Sequence, residues 1–272
     1  MKQQLGTYFA RCANSLRYLN KLQDAPIQLW NDFQPEIHSI LNPRETREMR
    51  KTLLPYFKNK RGVCVGGALR WEFQEYLKQA AQVINVNVGP SYDGQPTSAN
   101  YLTDAANLYF ARNSEFDFVC SSHVLEHLAN PIKALKEWLR ITKRGGIIYC
   151  GVPDKRFTFD HKRRRTPLSH LIKDYRLDVG PYDSTHLCDV FFNTDLKLAN
   201  GTQEQHYSWI LDYHLSAQGS NNSSAKTRHN ECTIHHHVYT KEDLTALFRY
   251  VGMEILFVTL VGDTIHLVAK KR

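Results

Sequence analysis

The stretch that decides the fold is 116–153, FDFVCSSHVLEHLANPIKALKEWLRITKRGGIIYCGVP. It opens on Phe116-Asp117-Phe118-Val119-Cys120, a short aromatic and β-branched run of strand length. Residues 131–142 then place Ile132, Leu135, Trp138, Leu139 and Ile141 at helical spacing. Pro131 stands at the first helical position, where a missing N–H costs nothing. Arg144-Gly145-Gly146 reads as the helix stop. Residues 147–152 form an unbroken apolar run, the pattern of a strand covered on both faces. Strand, helix and strand in succession predict a parallel pair joined by a right-handed crossover.

The same alternation continues outward. Upstream lie a brief apolar run at 62–65, a helical pattern at 69–81 carrying Leu69, Phe73, Leu77 and Ala80, and strands at 83–88 and 100–103. Downstream, 240–251 reads as a helix with Thr240 as N-cap, Asp243 three residues on and Gly252 as its stop. Strands at 254–261 and 264–269 flank Gly262-Asp263, a turn pair that fits an antiparallel hairpin. The expected core is an α/β domain: an open, mostly parallel seven-stranded sheet with helices on both faces and an antiparallel hairpin at its C-terminal end. Such sheets bind ligands beyond the carboxyl ends of their strands, near the point where strand order reverses.

Two segments stand apart. Residues 1–43 read as a helical extension, with an amphipathic pattern over 7–22, and a charged helix begins near 44, where the main domain of 44–272 starts. Residues 154–236 are polar, basic and rich in His, Asp and Tyr, and are expected to be an insertion on the substrate side. Within them 216–230 reads as a flexible loop.

The 272 residues are 42% hydrophobic and 23% charged, which excludes wholesale disorder, collagen and coiled coil. The most apolar runs, 145–152 and 253–261, fall far short of the roughly 20 residues that a membrane helix needs. No apolar run of signal-peptide length opens the chain, so a cytoplasmic setting is expected. The glycosylation triplets at Asn200 and Asn222 then read as chance matches. Six cysteines form no CxxC pair, and Cys64, Cys120 and Cys150 sit in strand-like runs where a thiol behaves as a small hydrophobe. The formal charge of +8, from 35 Lys+Arg against 27 Asp+Glu, leans toward an acidic partner or substrate.

The residues of 116–153 resemble those of the class I S-adenosylmethionine-dependent methyltransferases, of the kind called methyltransferase type 11. Asp117 after an aromatic, the apolar strand, Leu125-Glu126-His127, Pro131 with its helix, and Gly145-Gly146 before the next strand all match. The likeness extends over about 44–153 and 237–272 and implies the seven-stranded Rossmann-like methyltransferase sheet. The segments VPDKRFTFDHKRRRTPLSHLIKDY and HHHVYTKEDL look like a branch associated with glycan biosynthesis.

The resemblance implies S-adenosylmethionine as cofactor. Its binding residues would be Gly66 and Gly67 after the first strand, Asn87 at the end of the second, the pair Asp104-Ala105 after the third, and Ser121 and His123 after the fourth. Glycine there lets backbone approach the ligand closely. The sequence departs from the family at Cys64, where an acid is usual, at Ala68 and Arg70, where further glycines are usual, and at Asn87, which replaces a ribose-binding acid.

Methyl transfer to oxygen needs a base for the hydroxyl proton. His161, Asp160 and His237 are the catalytic residues expected on that ground: His is the neutral-pH base, and the run 235–237 holds a residue, His235 or His237, facing the cleft. The basic run Lys162-Arg163-Arg164-Arg165, with Lys155 and Arg156, offers contacts for an acidic group. The His-rich stretch 229–237 lacks a recognisable zinc spacing, and no metal is assigned from it. The expected activity is O-methylation of a sugar, glycan or other small acidic acceptor. The alternatives left open are a non-catalytic scaffold with a degraded cofactor loop and an RNA or nucleotide methyltransferase; nucleic acid is not favoured, and oligomeric state is not legible.

Overall fold

A computed structural model describes residues 51–66, 76–89, 91–92, 95–96, 98–180, 183, 185–199 and 234–272. The chain divides into two units, Met1–Thr52 and Leu53–Arg272. The expectations for 1–43, for most of the 69–81 helix and for the 216–230 loop lie outside the described residues.

Among the described residues nine strands run in chain order: β1 (Arg61–Val65), β2 (Gln82–Asn87), β3 (Ser91–Tyr92), β4 (Gln95–Pro96), β5 (Tyr101–Leu102), β6 (Phe116–Ser122), β7 (Thr142–Pro153), β8 (Met253–Val261) and β9 (Thr264–Lys271). Seven form one sheet in the order β5-β2-β1-β6-β7-β9-β8, and β3-β4 is a separate small pair. The first five positions of the sheet are parallel; β9 runs antiparallel to β7, and β8 to β9. This is the open, mostly parallel α/β sheet with its antiparallel hairpin that the alternation predicts.

The core follows from the sequence pattern. Helix α1 (Pro131–Ile141) buries Ile132, Ala134, Leu135, Trp138 and Ile141 against the sheet, and Asn130 caps it by accepting from Lys133 N at 3.1 Å. Trp138 is wholly buried and donates Nε1–H to Ala105 O at 2.9 Å. β7 lies between β6 and β9, so the apolar run 147–152 is buried as that pattern requires. Cys64, Cys120 and Cys150 are free and buried among these strands.

The expected Gly-Gly helix stop is corrected. α1 already ends at Ile141, where Thr142 takes an extended conformation and its hydroxyl donates to Trp138 O at 2.7 Å. The chain pairs from Thr142 onward, so Gly145 (φ +79°) and Gly146 lie inside β7, at an irregularity of its register with β6. A Cβ on Gly146 would come within 2.5 Å of Asp117 O, which explains the glycine there.

The insertion is more regular than its polarity suggests. It holds α2 (Leu168–Arg176) and α3 (Leu187–Asn193). Helix α4 (Lys241–Tyr250) then returns to the sheet. Its N-terminus is a complete capping box: Thr240 accepts from Asp243 N, and the Asp243 carboxylate accepts from Thr240 N at 3.0 Å. Arg165 adds two bonds to the same carboxylate, at 2.7 and 3.1 Å.

Burial raises the pKa of Asp243, but the bonds from Arg165 and Thr240 outweigh it, and the carboxyl titrates below its ordinary value. A depressed carboxyl stabilises the fold above its unfolded pKa of about 4 and loses that contribution as pH falls through the folded value. Asp243→Asn is therefore expected to lower stability by about 1 kcal/mol at neutral pH. Thermal unfolding at pH 7 and again at strongly acidic pH checks this; the gap between mutant and wild type should shrink in acid.

Candidate active site

Strand register assembles one edge. Val65 pairs with Val86 and with Ser121, Asn87 with Leu102, and Ser122 with Gly151. The carboxyl ends of β1, β2, β5, β6 and β7 are thereby aligned, and strand order reverses between β1 and β6.

Gly66 follows β1 with φ +92°, a conformation that strains other residues. A Cβ there would stand 2.3 Å from Val124 Cγ2. Gly67 lies outside the described residues. Asn87 ends β2, and its Oδ1 accepts from Val88 N at 2.8 Å. With that acceptor engaged, what the side chain offers a ribose is chiefly its N–H donors, the reverse of a carboxylate. Asp104 is exposed and turns the chain by accepting from Ala106 N at 2.6 Å. Ala105 is buried, held through its carbonyl by Trp138. Ser121 and Ser122 are buried, and neither hydroxyl has a hydrogen-bond partner among the described residues. His123 has φ +54°; its Nε2 lies 3.2 Å from Thr264 Oγ1 and its Nδ1 3.5 Å from Glu126 Oε1.

The acid–base residues are rearranged relative to expectation. Asp160 is buried and its Oδ2 lies 2.5 Å from His235 Nδ1, while its Oδ1 accepts from Arg163 at 3.1 Å. Burial pushes the Asp160 carboxyl up, but the His235 bond and the charges of His235 and Arg163 carry it below its ordinary value. His161 lies on the surface instead, its Nδ1 3.2 Å from Thr158 O and its Nε2 3.5 Å from Asp195. Asp160 therefore orients His235.

His237 is wholly buried, with Nε2 3.2 Å from Ala129 O. The chain bends at His236, so His235 and His237 do not share a face as an extended strand would have them. His235 stacks on Phe159 and meets His127 edge-on, with ring centroids 4.9 and 4.7 Å away. His127 belongs to the short 3-10 turn Leu125–His127 that follows β6, so His235 is carried to the sheet's carboxyl edge. The ligand atoms of Glu126, His127 and His235 all lie within 4.8 Å of one another.

Of the basic run only Arg163 is turned inward, while Lys162, Arg164 and Arg165 are exposed. Arg163 is buried and bonds Asp160, Asp189 and the carbonyls of His235 and His236. Lys162 pairs with Asp195, Arg165 with Asp243 and Arg156 with Asp154, while Lys155 donates to His161 O. These pairs tie the insertion to itself and to α4, with Arg163 the buried member.

A second group was not legible as a unit. His170 and Asp174 on α2, His186 at the start of α3 and His237 converge, with Asp174 buried. Desolvation and the neighbouring His170 lower the His186 pKa to about 4, and desolvation lowers His237 well below its ordinary value. Desolvation raises the Asp174 carboxyl. The i, i+4 spacing of His170 and Asp174 was the available sequence signal.

Residues 62–150 match the family model described as a methyltransferase domain. The match covers 89 of the 272 residues and, with the seven-stranded sheet, marks a methyltransferase, an enzyme whose cofactor is S-adenosylmethionine. No curated protein matches the sequence. Solved structures that it resembles include a methyltransferase from Aquifex aeolicus, at 12% identity and TM-score 0.43 over 85% of this chain and 92% of that one. Another is from Mesorhizobium loti, at 12% identity and TM-score 0.45 over 82% and 96%. The N-methyltransferase NodS from Bradyrhizobium japonicum, in complex with S-adenosylhomocysteine, matches at 10% identity and TM-score 0.42 over 83% and 86%. Likenesses this distant say nothing of the acceptor.

The described residues fit the cofactor. Gly66 supplies a close backbone approach, and Ser121 and Ser122 supply buried hydroxyls that lack partners. In calorimetry with S-adenosylmethionine, Gly66→Ala is expected to weaken binding at least about tenfold, because the backbone conformation and Val124 both resist a Cβ. Asn87→Ala should cost about 1 kcal/mol, roughly fivefold, and wild-type affinity in both variants would remove these residues from the site.

Proposed function

We propose that this enzyme methylates a hydroxyl oxygen of a small sugar or glycan acceptor, with His235 as the general base and Asp160 as its positioning residue. The observation that carries the reading is the 2.5 Å contact between Asp160 Oδ2 and His235 Nδ1, beside the turn that follows β6.

When bound, S-adenosylmethionine supplies an electrophilic methyl group. Gly66, Asn87, Asp104, Ala105, Ser121 and His123 would hold it along the sheet's edge. Asp160 fixes the His235 tautomer by accepting from Nδ1–H, which leaves the Nε2 lone pair to receive the acceptor's proton. The carboxylate then stabilises the imidazolium that forms, while Arg163 keeps Asp160 ionised and in place. Phe159 and His127 fix the ring plane. The sugar class rests on the resemblance of 152–175 and 235–244 to glycan-associated methyltransferases. The ion-paired basic run gives nucleic acid no added support.

The test is a panel of sugars and nucleotide sugars incubated with S-adenosylmethionine, read as S-adenosylhomocysteine formed. On the substrate found, His235→Gln should lower kcat by about 10²–10⁴-fold and Asp160→Asn by a smaller factor, with cofactor affinity unchanged in both. Turnover by His235→Gln within a few-fold of wild type would end the general-base assignment.

A further inference from the structure

Four side chains from three segments of the insertion point their ligand atoms at a common centre. His170 Nε2 lies 2.9 Å from His186 Nε2 and 3.2 Å from Asp174 Oδ2. His186 Nε2 and His237 Nε2 lie 3.7 and 3.6 Å from the same Asp174 oxygen. All four ligand atoms fall within 4.8 Å of one another. A tetrahedral zinc ion with ligands at about 2.0–2.1 Å sets its ligand atoms about 3.3 Å apart. The observed separations, 2.9 to 3.7 Å, bracket that edge.

Hydrogen bonding alone leaves the group poorly satisfied. Asp174 Oδ2 is buried and accepts no hydrogen bond among the described residues, although imidazole nitrogens surround it. Two Nε2 atoms face each other across 2.9 Å, a contact that repels unless one of them carries a proton. Three imidazoles and one carboxylate, all aimed inward, form a nitrogen and oxygen donor set that a borderline divalent ion satisfies.

We propose that His170, Asp174, His186 and His237 bind one zinc ion. Four protein ligands close the coordination sphere, so the ion is structural and has no open position for substrate. Helix α2 supplies His170 and Asp174 from one face at i, i+4, α3 supplies His186 from its N-cap, and the 234–240 segment supplies His237. The ion thus fastens α2 and α3 to the segment that carries His235. An outer layer is in place around His186: Thr185 Oγ1 lies 3.3 Å and Asp183 Oδ1 3.7 Å from its Nδ1. The competitor is Ala129 O, 3.2 Å from His237 Nε2. In the metal-free protein His237 donates to that carbonyl, and on binding it turns its lone pair to the ion, which makes it the weakest of the four ligands.

The experiment uses the full chain without an affinity tag, stripped by chelator and dialysed, then titrated with zinc chloride and analysed by mass spectrometry for bound metal. One equivalent of zinc and a rise in Tm on its addition are expected. Cobalt(II) in its place should give the intense visible bands of a four-coordinate site. His170→Ala and Asp174→Asn should each weaken zinc binding by at least about 100-fold. His170 is half-exposed, so that variant is expected to fold, and its circular dichroism and S-adenosylmethionine binding confirm that it has. His235→Ala should keep its zinc. Folded wild type that takes up no zinc overturns the proposal. So does zinc that survives His170→Ala and Asp174→Asn, or that is lost in His235→Ala alone.

Discussion

The buried guanidinium of Arg163 is the interaction on which the site depends. Its donors reach Asp160, Asp189 on α3 and the carbonyls of His235 and His236. The loop after β7, the helix of the insertion and the segment returning to α4 are thereby joined through one cation. A planar five-donor group suits this role, and a lysine would not make the same set of bonds. Removing one partner of a buried pair strands the other, at a cost on the order of 3–5 kcal/mol. The same guanidinium adds to His235 in holding the Asp160 carboxyl below its ordinary value.

The sheet provides the frame for this arrangement. Because β1 and β6 are neighbours and strand order reverses between them, the chain leaves their aligned carboxyl ends toward opposite edges of the sheet. Trp138 ties α1 to the turn after β5 by donating to the Ala105 carbonyl. The insertion brings Asp160 and Arg163 against the 235–236 segment, and α4, capped by Thr240 and Asp243, fixes where that segment returns. The charge that looks available for an acidic substrate in the sequence is consumed in this scaffold: Lys162, Arg163 and Arg165 each hold a carboxylate.

What was legible in the sequence was local. The run 147–152 announced a strand covered on both faces, 131–141 an amphipathic helix, Thr240 and Asp243 a capping box, and Gly262-Asp263 a hairpin turn, because each depends on near neighbours. The end of α1 was misread because strand pairing from Thr142 overrides a glycine stop. The Asp160–His235 pairing was not legible for a different reason. The two residues are far apart in the chain, so no local pattern joins them. The bend at His236 decided which of two neighbouring imidazoles reaches the edge and which is buried, and no periodicity encodes a single bend.

The proposed chemistry turns on Asp160 holding His235 with its Nε2 lone pair available to a substrate. The most direct measurement is nitrogen NMR of the protein labelled with ¹⁵N-histidine, with the His235 signals assigned by their loss in His235→Gln. The expected result is that the neutral His235 ring carries its proton at Nδ1 and is bare at Nε2, as the Asp160 contact requires. A neutral ring protonated at Nε2 instead would contradict it.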